Sequence, residues 1–340
     1  MSNRKVVITQ QFFDEESVAY LKANGCDVTV AKLPGGKPDG GLSHDELVGL
    51  LGGANGWIVG HAPVTRELLA ALPDLSVISR RGVGYDRVDV EAARDLGRVV
   101  AIAVGGNEAA VADLAIGLML SVGRRIGESQ EAMKAGKWSI LMGTDLTRKT
   151  VGLVGLGRIG RQVVQRLKAF DTRILIAAPR PDEEYAQAMG LSYVPLEALF
   201  AESDYISLHA PLTSETRFLV SDETIPLMKS DAIIINTARG GLVEDAHLLA
   251  ALKEKRLGGA GLDVFMSEAD SSYKPVTEEL IRLPNVAATP HAAASTREAL
   301  ALTNMIASQS VVTVFDGSSP QANRVVVDGR PSAGDPKSRR

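Results

Sequence analysis

The run Val151-Gly-Leu-Val-Gly155-Leu-Gly157-Arg-Ile-Gly160 constrains this chain more than any other segment. A β-branched strand pattern enters a Gly-x-Gly-x-x-Gly turn, and a helical pattern leaves it. Gly155 permits the tight turn, Gly157 lets backbone approach a pyrophosphate, and Gly160 lets helix and strand pack closely. The helix N-terminus at Arg158, Ile159 and Gly160 then offers N–H groups and a positive dipole end to phosphates. Gly-x-Gly-x-x-Gly alone is a weak signal, and a glycine-rich turn without a ligand is its bland reading. With a strand before and a helix after, the run predicts a nucleotide-binding turn in a parallel α/β sheet.

Alternation extends well beyond that turn. Strand patterns fall at Lys5–Thr9, Asp27–Ala31, Trp57–Gly60, Val77–Arg80 and Val99–Ile102, with helical segments such as Asp14–Asn24 and Ser43–Leu51 between them. A second series starts at Thr150, with strands expected at Val151–Gly155, Arg173–Ala177, Tyr205–Leu208, Ala232–Asn236, Gly259–Leu262 and Val286–Ala288. Alternation of this kind predicts parallel sheets covered on both faces. Between the two series, Asn107 to about Lys134 reads as one long apolar helix that packs between domains or subunits. The last helical stretch, Ser295 to about Phe315, has the option of packing back on the first series, which would make that unit discontinuous.

Size and composition narrow the function classes. A chain of 340 residues accommodates two α/β domains, and 45% hydrophobic residues suffice for sizeable cores. A formal net charge of −4 argues against nucleic-acid binding, which needs a basic surface. Cys26 is the only cysteine, so an internal disulfide and a cysteine-rich metal site are excluded, and no metal is expected. Lys5–Thr9 is too short for a signal segment, and Ala109–Gly123, interrupted by Asp113, falls short of a bilayer span. The chain is therefore expected in the cytoplasm, away from membranes. Residues 328–340, rich in Gly, Pro, Ser and charge, read as a disordered tail.

The strand after the glycine turn bears on cofactor choice. NAD-binding versions place a carboxylate about twenty residues beyond the turn, on the adenosine ribose. Here Arg173-Ile-Leu-Ile-Ala-Ala178 ends without one and runs into Pro179 and Arg180. Loss of a carboxylate and gain of a guanidinium favour a 2′-phosphate, hence NADP; NAD stays possible if Arg180 is a solvated loop residue.

Three segments place reactive side chains directly after predicted strands, the edge where open α/β sheets bind ligands. Asn236-Thr-Ala-Arg239 supplies a guanidinium suited to a carboxylate. Gly261-Leu-Asp263-Val-Phe-Met-Ser-Glu268 supplies two carboxylates, and Thr289-Pro-His291 a histidine. Reduction of a 2-oxo acid needs a carboxylate clamp, a proton donor effective near neutral pH and a hydride source. Arginine, histidine held by a carboxylate, and nicotinamide meet those needs.

The sequence resembles the D-isomer-specific 2-hydroxyacid dehydrogenase family from about Trp57 to Phe315. The motifs, in order, are Arg80-Arg-Gly-Val-Gly-Tyr-Asp86, Gly155-Leu-Gly-Arg-Ile-Gly160, His209-Ala-Pro-Leu-Thr213, Asn236-Thr-Ala-Arg-Gly240, Gly261-Leu-Asp-Val-Phe265 and Pro290-His291. The resemblance implies Arg239, Glu268 and His291 as the catalytic set, with Arg239 on the substrate carboxylate and carbonyl, His291 moving the proton and Glu268 on the imidazole. It implies Val83 and Gly84 backbone against the substrate carboxylate and Asp263 near the nicotinamide carboxamide. His209, Ala210, Pro211, Thr237, Ala238 and Ala293 follow as further cofactor contacts, beside Pro179 and Arg180.

The implied fold is α/β, with two doubly wound parallel-sheet domains flanking a cleft. A flavodoxin-like substrate domain would comprise 1–105 plus 296–327, and a Rossmann nucleotide-binding domain 106–295, its first helix forming a homodimer. The implied activity is NAD(P)-dependent interconversion of a small 2-oxo acid and its D-2-hydroxy acid, as in glyoxylate or hydroxypyruvate reductases. A 3-phosphoglycerate dehydrogenase is the alternative within the class, and an NAD(P)H-sensing corepressor-like interaction protein the alternative outside it.

Several positions depart from the family pattern. Asp113-Leu114 replaces the common Glu-His, and Ala269 stands where proline commonly follows the catalytic glutamate. Gly60-His61 stands where phosphoglycerate dehydrogenases tend to carry a phosphate-binding arginine, although Arg80 and Arg81 lie close by in sequence.

Overall fold

The computed structural model describes residues 4–331. The chain divides into two compact units: the first is the chain up to Asn107 together with the chain from Thr296 onward, and the second is Glu108–Ser295.

The first unit begins with strands β1 (Lys5–Ile8), β2 (Asp27–Val30), β3 (Gly56–Val59), β4 (Val77–Arg80) and β5 (Val99–Ile102). Between them run helices α1 (Glu15–Ala23), α2 (His44–Leu51), α3 (Arg66–Ala71) and α4 (Val90–Asp95). The capping signals read from the sequence operate as expected. Asp14 accepts the Ser17 N–H at 2.8 Å, and Ser43 and Glu46 form a reciprocal capping box at the start of α2.

The second unit opens with α5 (Glu108–Gly123) and α6 (Ile126–Lys134). Its strands are β6 (Thr150–Val154), β7 (Arg173–Ala177), β8 (Ser192–Tyr193), β9 (Tyr205–Leu208), β10 (Ile233–Asn236), β11 (Gly259–Leu262) and β12 (Val286–Ala288). Its remaining helices are α7 (Arg158–Leu167), α8 (Glu183–Met189), α9 (Leu196–Glu202), α10 (Asp245–Lys253) and α11 (Lys274–Leu280). The chain then returns to the first unit as α12 (Arg297–Phe315) and β13 (Val325–Asp328).

The two sheets have the orders β13-β5-β4-β3-β1-β2 and β12-β11-β10-β9-β6-β7-β8. Every pairing is parallel except that of β13, which adds to β5 antiparallel at the edge. Both are doubly wound α/β sheets. In the first, strand order reverses between β1 and β3; in the second, between β6 and β9. Such reversals open crevices at the carboxyl ends of the strands.

Helix α12 completes the first unit. Ala307, Val311, Val312 and Val314 are buried with Val6, Ile8, Ile58, Val77 and Val99 in one apolar cluster. Burial of each such Val or Ile side chain contributes about 1.5–3 kcal/mol. A Cβ on Gly56 would lie 3.0 Å from Phe315 and 3.1 Å from Val311, so the glycine lets the helix approach the strand.

Two expectations need correction. The stretch from Asn107 to Lys134 is two helices, broken at Arg125, which takes a left-handed conformation with φ 53°. The apolar residues of α5 also have a home within their own unit: Ala112, Ala115, Leu118, Met119 and Val122 are buried with Val151, Val163, Val164, Ile233 and Ile235. The tail expected from residue 328 is ordered at its start. Asp328 closes β13 and pairs with Arg330 at 2.6 Å, because the valines before it supply a strand edge to β5. The rest of that expected tail, 332–340, lies outside the described residues.

Among the described residues, no helix is long and apolar enough to cross a membrane. No group of three His, Cys, Asp or Glu side chains among them is placed to hold a metal ion.

Candidate active site

In the second unit the glycine turn has the shape its sequence demands. Gly155 has φ 99°, and a Cβ on it would meet the His209 carbonyl oxygen at 2.8 Å. A Cβ on Gly160 would lie 2.6 Å from the Gly155 carbonyl oxygen, so only glycine lets α7 start this close to the turn. Gly157 is different: a Cβ there would meet nothing within 4 Å. It caps α7 without a side-chain hydrogen bond, so no capping side chain takes the first-turn N–H groups of Arg158, Ile159 and Gly160. The turn therefore fits a dinucleotide pyrophosphate, with backbone exposed where a ligand would approach.

Across the crevice, His209 follows β9 and bonds to the Ser207 hydroxyl at 2.9 Å. Burial pushes its pKa down to about 4, so the ring is neutral at physiological pH. Ala210 continues this edge, its N atom 3.1 Å from where a Cβ on Gly155 would stand, and Pro211 follows it, exposed.

At the end of β7, Pro179 and Arg180 are exposed. The role of Asp182 beside them had no signal in the sequence. Asp182 caps α8 by accepting the Tyr185 N–H at 3.0 Å and also pairs with Arg161 of α7 at 2.5 Å. The Arg161 guanidinium lies over the Tyr185 ring, 4.2 Å from its centre. A carboxylate therefore does stand in this loop, but it is engaged with a cap and an arginine.

Arg239 follows β10 on a loop fixed from within. The fully buried Asn236 accepts the Ala238 N–H at 3.1 Å and donates to the Arg239 carbonyl at 2.8 Å. Arg239 Nη1 donates to the Ala238 carbonyl at 2.7 Å, and Thr237 is buried beside it. A Cβ on Gly240 would overlap the Phe265 backbone, so this glycine brings the arginine loop against the segment that carries Glu268.

Glu268 ends a short helical turn after β11. Its Oε1 accepts the Phe265 N–H at 2.9 Å and its Oε2 meets His291 Nδ1 at 2.6 Å. The turn is held from behind by Asp245, whose Oδ2 accepts the Met266 N–H at 2.9 Å. Asp245 is 2% exposed, and burial, aided by the charges of Glu244 and Glu268, pushes its pKa up to about 7. Sequence reasoning missed Asp245 because a carboxylate at a helix start ordinarily signals only a favourable dipole.

His291 has φ 51°, an uncommon conformation for a non-glycine residue and one that costs on the order of 1–3 kcal/mol. Asp263 explains how it is sustained. The Asp263 carbonyl accepts the His291 N–H at 2.7 Å. Its carboxylate takes the Thr289 hydroxyl at 2.6 Å and the N–H groups of Ala292 and Ala293 at 2.7 and 3.0 Å. Asp263 is fully buried, and that burial raises its pKa against the pull of those bonds. Asp263 and Ala293 were expected as cofactor contacts. In the structure the Asp263 carboxylate and the Ala293 N–H bond to each other, because the loop before α12 needs an internal anchor.

Beside the Glu268–His291 pair opens a cavity of about 630 Å³, bordered by Phe265, Thr277, Ile281, Ala288 and Pro290. Val83 and Gly84, on the loop after β4, belong to the first unit and are partly buried.

A doubly wound sheet with a phosphate-binding turn, and an arginine loop and a carboxylate–histidine pair on neighbouring strand ends, defines a nucleotide-binding α/β protein equipped for acid–base chemistry. Residues 116–293 match the model of the D-isomer specific 2-hydroxyacid dehydrogenase, NAD binding domain. The D-3-phosphoglycerate dehydrogenase of Archaeoglobus fulgidus is 37% identical over 92% of this chain and 57% of its own length. The glyoxylate reductase of Korarchaeum cryptofilum is 36% identical over 79% of this chain and 82% of its own. Among solved structures, the TT0316 protein from Thermus thermophilus superposes with a TM-score of 0.83 at 34% identity, covering 95% of this chain and all of that one. The chain belongs to the D-isomer-specific 2-hydroxyacid dehydrogenase family. It spans rather more than half the length of the two phosphoglycerate dehydrogenases matched first, 57% and 58%.

Proposed function

We propose that this protein interconverts a small 2-oxo acid and its D-2-hydroxy acid with a nicotinamide dinucleotide. The observation that carries this reading is the 2.6 Å contact between His291 Nδ1 and Glu268 Oε2, on the same sheet edge as the glycine turn. An ionised carboxylate only accepts, so Glu268 fixes the proton on Nδ1 and leaves Nε2 for the substrate oxygen. Protonated at both nitrogens, His291 donates from Nε2 to the carbonyl oxygen; neutral, it takes the hydroxyl proton back in the reverse direction. The same bond from Glu268 holds the ring in place in both directions of the reaction. Arg239 grips the substrate carboxylate and polarises the carbonyl. When bound, the cofactor supplies or accepts the hydride.

In this reading the second unit holds the cofactor and the first unit is the substrate domain, with Val83 and Gly84 meeting the substrate carboxylate. Arg158, Ile159, Gly160, His209–Pro211, Thr237 and Ala238 line the cofactor site. Exposed Arg180, together with Asp182 being tied to Arg161, supports NADP over NAD. The assembly is a homodimer built on the segment after α5. Ile126, Met133, Trp138, Ile140 and Met142 are 52, 47, 79, 97 and 85% exposed, an apolar patch that favours a partner surface.

Glyoxylate and hydroxypyruvate are the simplest substrates of this class, and relatives carrying both the glyoxylate reductase and the phosphoglycerate dehydrogenase names keep a phosphorylated acid in view. The test is oxidation of NADPH and NADH with a panel of 2-oxo acids. Turnover supports the enzyme; tight cofactor binding without turnover of any acid would favour a nucleotide-sensing interaction protein instead.

A further inference from the structure

In the second unit, the Glu268–His291 pair stands on one short helical turn, Met266–Glu268. Glu268 uses one oxygen on that turn, accepting the Phe265 N–H at 2.9 Å, and the other on His291 Nδ1 at 2.6 Å. The next amide is held from outside. The Met266 N–H donates at 2.9 Å to Asp245 Oδ2, on the first turn of α10. A Cβ on Gly240 would lie 2.3 Å from the Phe265 carbonyl carbon and oxygen and 2.7 Å from the Met266 nitrogen, so the same peptide abuts the arginine loop. A further tether, between the Thr277 and Ser267 hydroxyls at 2.9 Å, is only part-buried.

Fold stability alone does not account for a carboxyl at this point. Asp245 is 2% exposed, and the charges that act on it, those of Glu244 and Glu268, are both negative. Burial, with those charges, pushes its pKa up to about 7, so the folded protein loses stability as Asp245 ionises. Protonated or ionised, a carboxyl keeps an acceptor lone pair for the Met266 N–H. Without it that N–H would be a buried donor with no acceptor, and the turn would tilt to relieve it.

We propose that Asp245 is a positioning residue of the proton relay, fixing through the Met266 N–H where Glu268 meets His291. This rests on the dehydrogenase reading above, in which His291 moves the proton. Met266 precedes Glu268 by two positions within one helical turn, so a tilt of its amide carries the carboxylate with it. A contact of 2.6 Å leaves no slack for such a tilt. Proton and hydride transfer need near-attack geometry, which small displacements remove. Asp245 bonds to backbone, so its contribution runs through Glu268 and vanishes where Glu268 is absent.

The test is single-turnover hydride transfer by the intact protein, with saturating reduced cofactor and the best substrate among glyoxylate, hydroxypyruvate and oxaloacetate. Asp245→Ala should slow that step about tenfold, with cofactor affinity and the KM of the acid within about threefold of wild type. Asp245→Asn, which keeps an acceptor oxygen, should recover most of the loss. In a Glu268→Ala background, Asp245→Ala should cost less than about twofold, because the carboxylate it places is gone. Asp245→Leu, which removes the acceptor and keeps the volume, takes the place of Asp245→Ala if that variant does not fold. An equal fold-loss from Asp245→Ala with and without Glu268 overturns the proposal, as does a loss in Asp245→Asn as deep as in Asp245→Ala. A wild type that binds reduced cofactor and turns over none of the three acids overturns the dehydrogenase reading, and this proposal with it.

Discussion

The backbone N–H of His291 donates to the Asp263 carbonyl at 2.7 Å, while the Asp263 carboxylate holds Thr289, Ala292 and Ala293 on either side of the histidine. One buried residue at the end of β11 thus sets both the backbone position and the left-handed backbone conformation of His291.

Asp263→Ala should therefore damage the fold and the activity together. Three accepted bonds vanish and the Ala292 and Ala293 N–H groups lose their acceptor, which costs roughly 2–4 kcal/mol of stability. Urea unfolding should show that loss. In the fraction that remains folded, kcat should fall more than cofactor affinity, because the displaced element is His291. Unchanged stability would show that the anchor is redundant.

Asp245 gives a pH-dependent prediction. Its folded pKa of about 7 lies above the ordinary aspartate value of 3.8, so the native state holds the proton more tightly than the unfolded chain does. Stability is then greatest below the unfolded pKa and declines as pH rises through the folded value. Asp245→Asn keeps an acceptor for the Met266 N–H and removes the titration. The wild type should lose on the order of 3–4 kcal/mol relative to Asp245→Asn between about pH 4 and about pH 8. Parallel stability curves for the two proteins would contradict this.

Cofactor preference is the third test. Arg180 is exposed at the end of β7 while Asp182 is engaged by Arg161, and the NADP proposal assigns Arg180 to the 2′-phosphate. kcat/KM should be higher with NADPH than with NADH. Arg180→Ala should weaken NADPH by about tenfold while changing NADH little, the scale of one lost charge-assisted contact. A wild-type protein that prefers NADH refutes this assignment.

Much of this was legible in the sequence, and the reasons are local. The glycine turn, the strand patterns and the reactive residues just past strand ends are each encoded within a few positions. That is why Arg239, Glu268 and His291 stood out. What escaped depends on distant partners. Asp182 meets Arg161 across 21 positions, Asp245 supports a turn 21 positions away, and Asp39 gathers donors from two segments, Thr9 with Gln10 and Gly60 with His61. The family resemblance puts Asp263 near the nicotinamide, but its bonds to Thr289, Ala292 and Ala293 span 26 to 30 positions and left no local signal. The break at Arg125 left no proline to mark it, and β13 became a strand only by finding the edge of β5.

Assembly is tested by light scattering. The exposed Trp138, Ile140 and Met142 should lie in a subunit interface, so the wild type should have the mass of a dimer. Ile140→Asp, which places a charge in that patch, should shift it toward monomer with little change in the thermal stability of the isolated chain. A wild-type monomer at working concentration would contradict the dimer.

Single-turnover kinetics of His291→Ala test whether His291, held by Glu268, carries the proton. With saturating NADPH and the best 2-oxo acid, the rate of hydride transfer should fall by roughly two to four orders of magnitude while cofactor affinity stays within a few-fold. Glu268→Gln, which keeps a hydrogen-bond acceptor but loses the charge, should fall less and in the same step. A His291→Ala protein that transfers hydride at the wild-type rate would show that another group carries the proton.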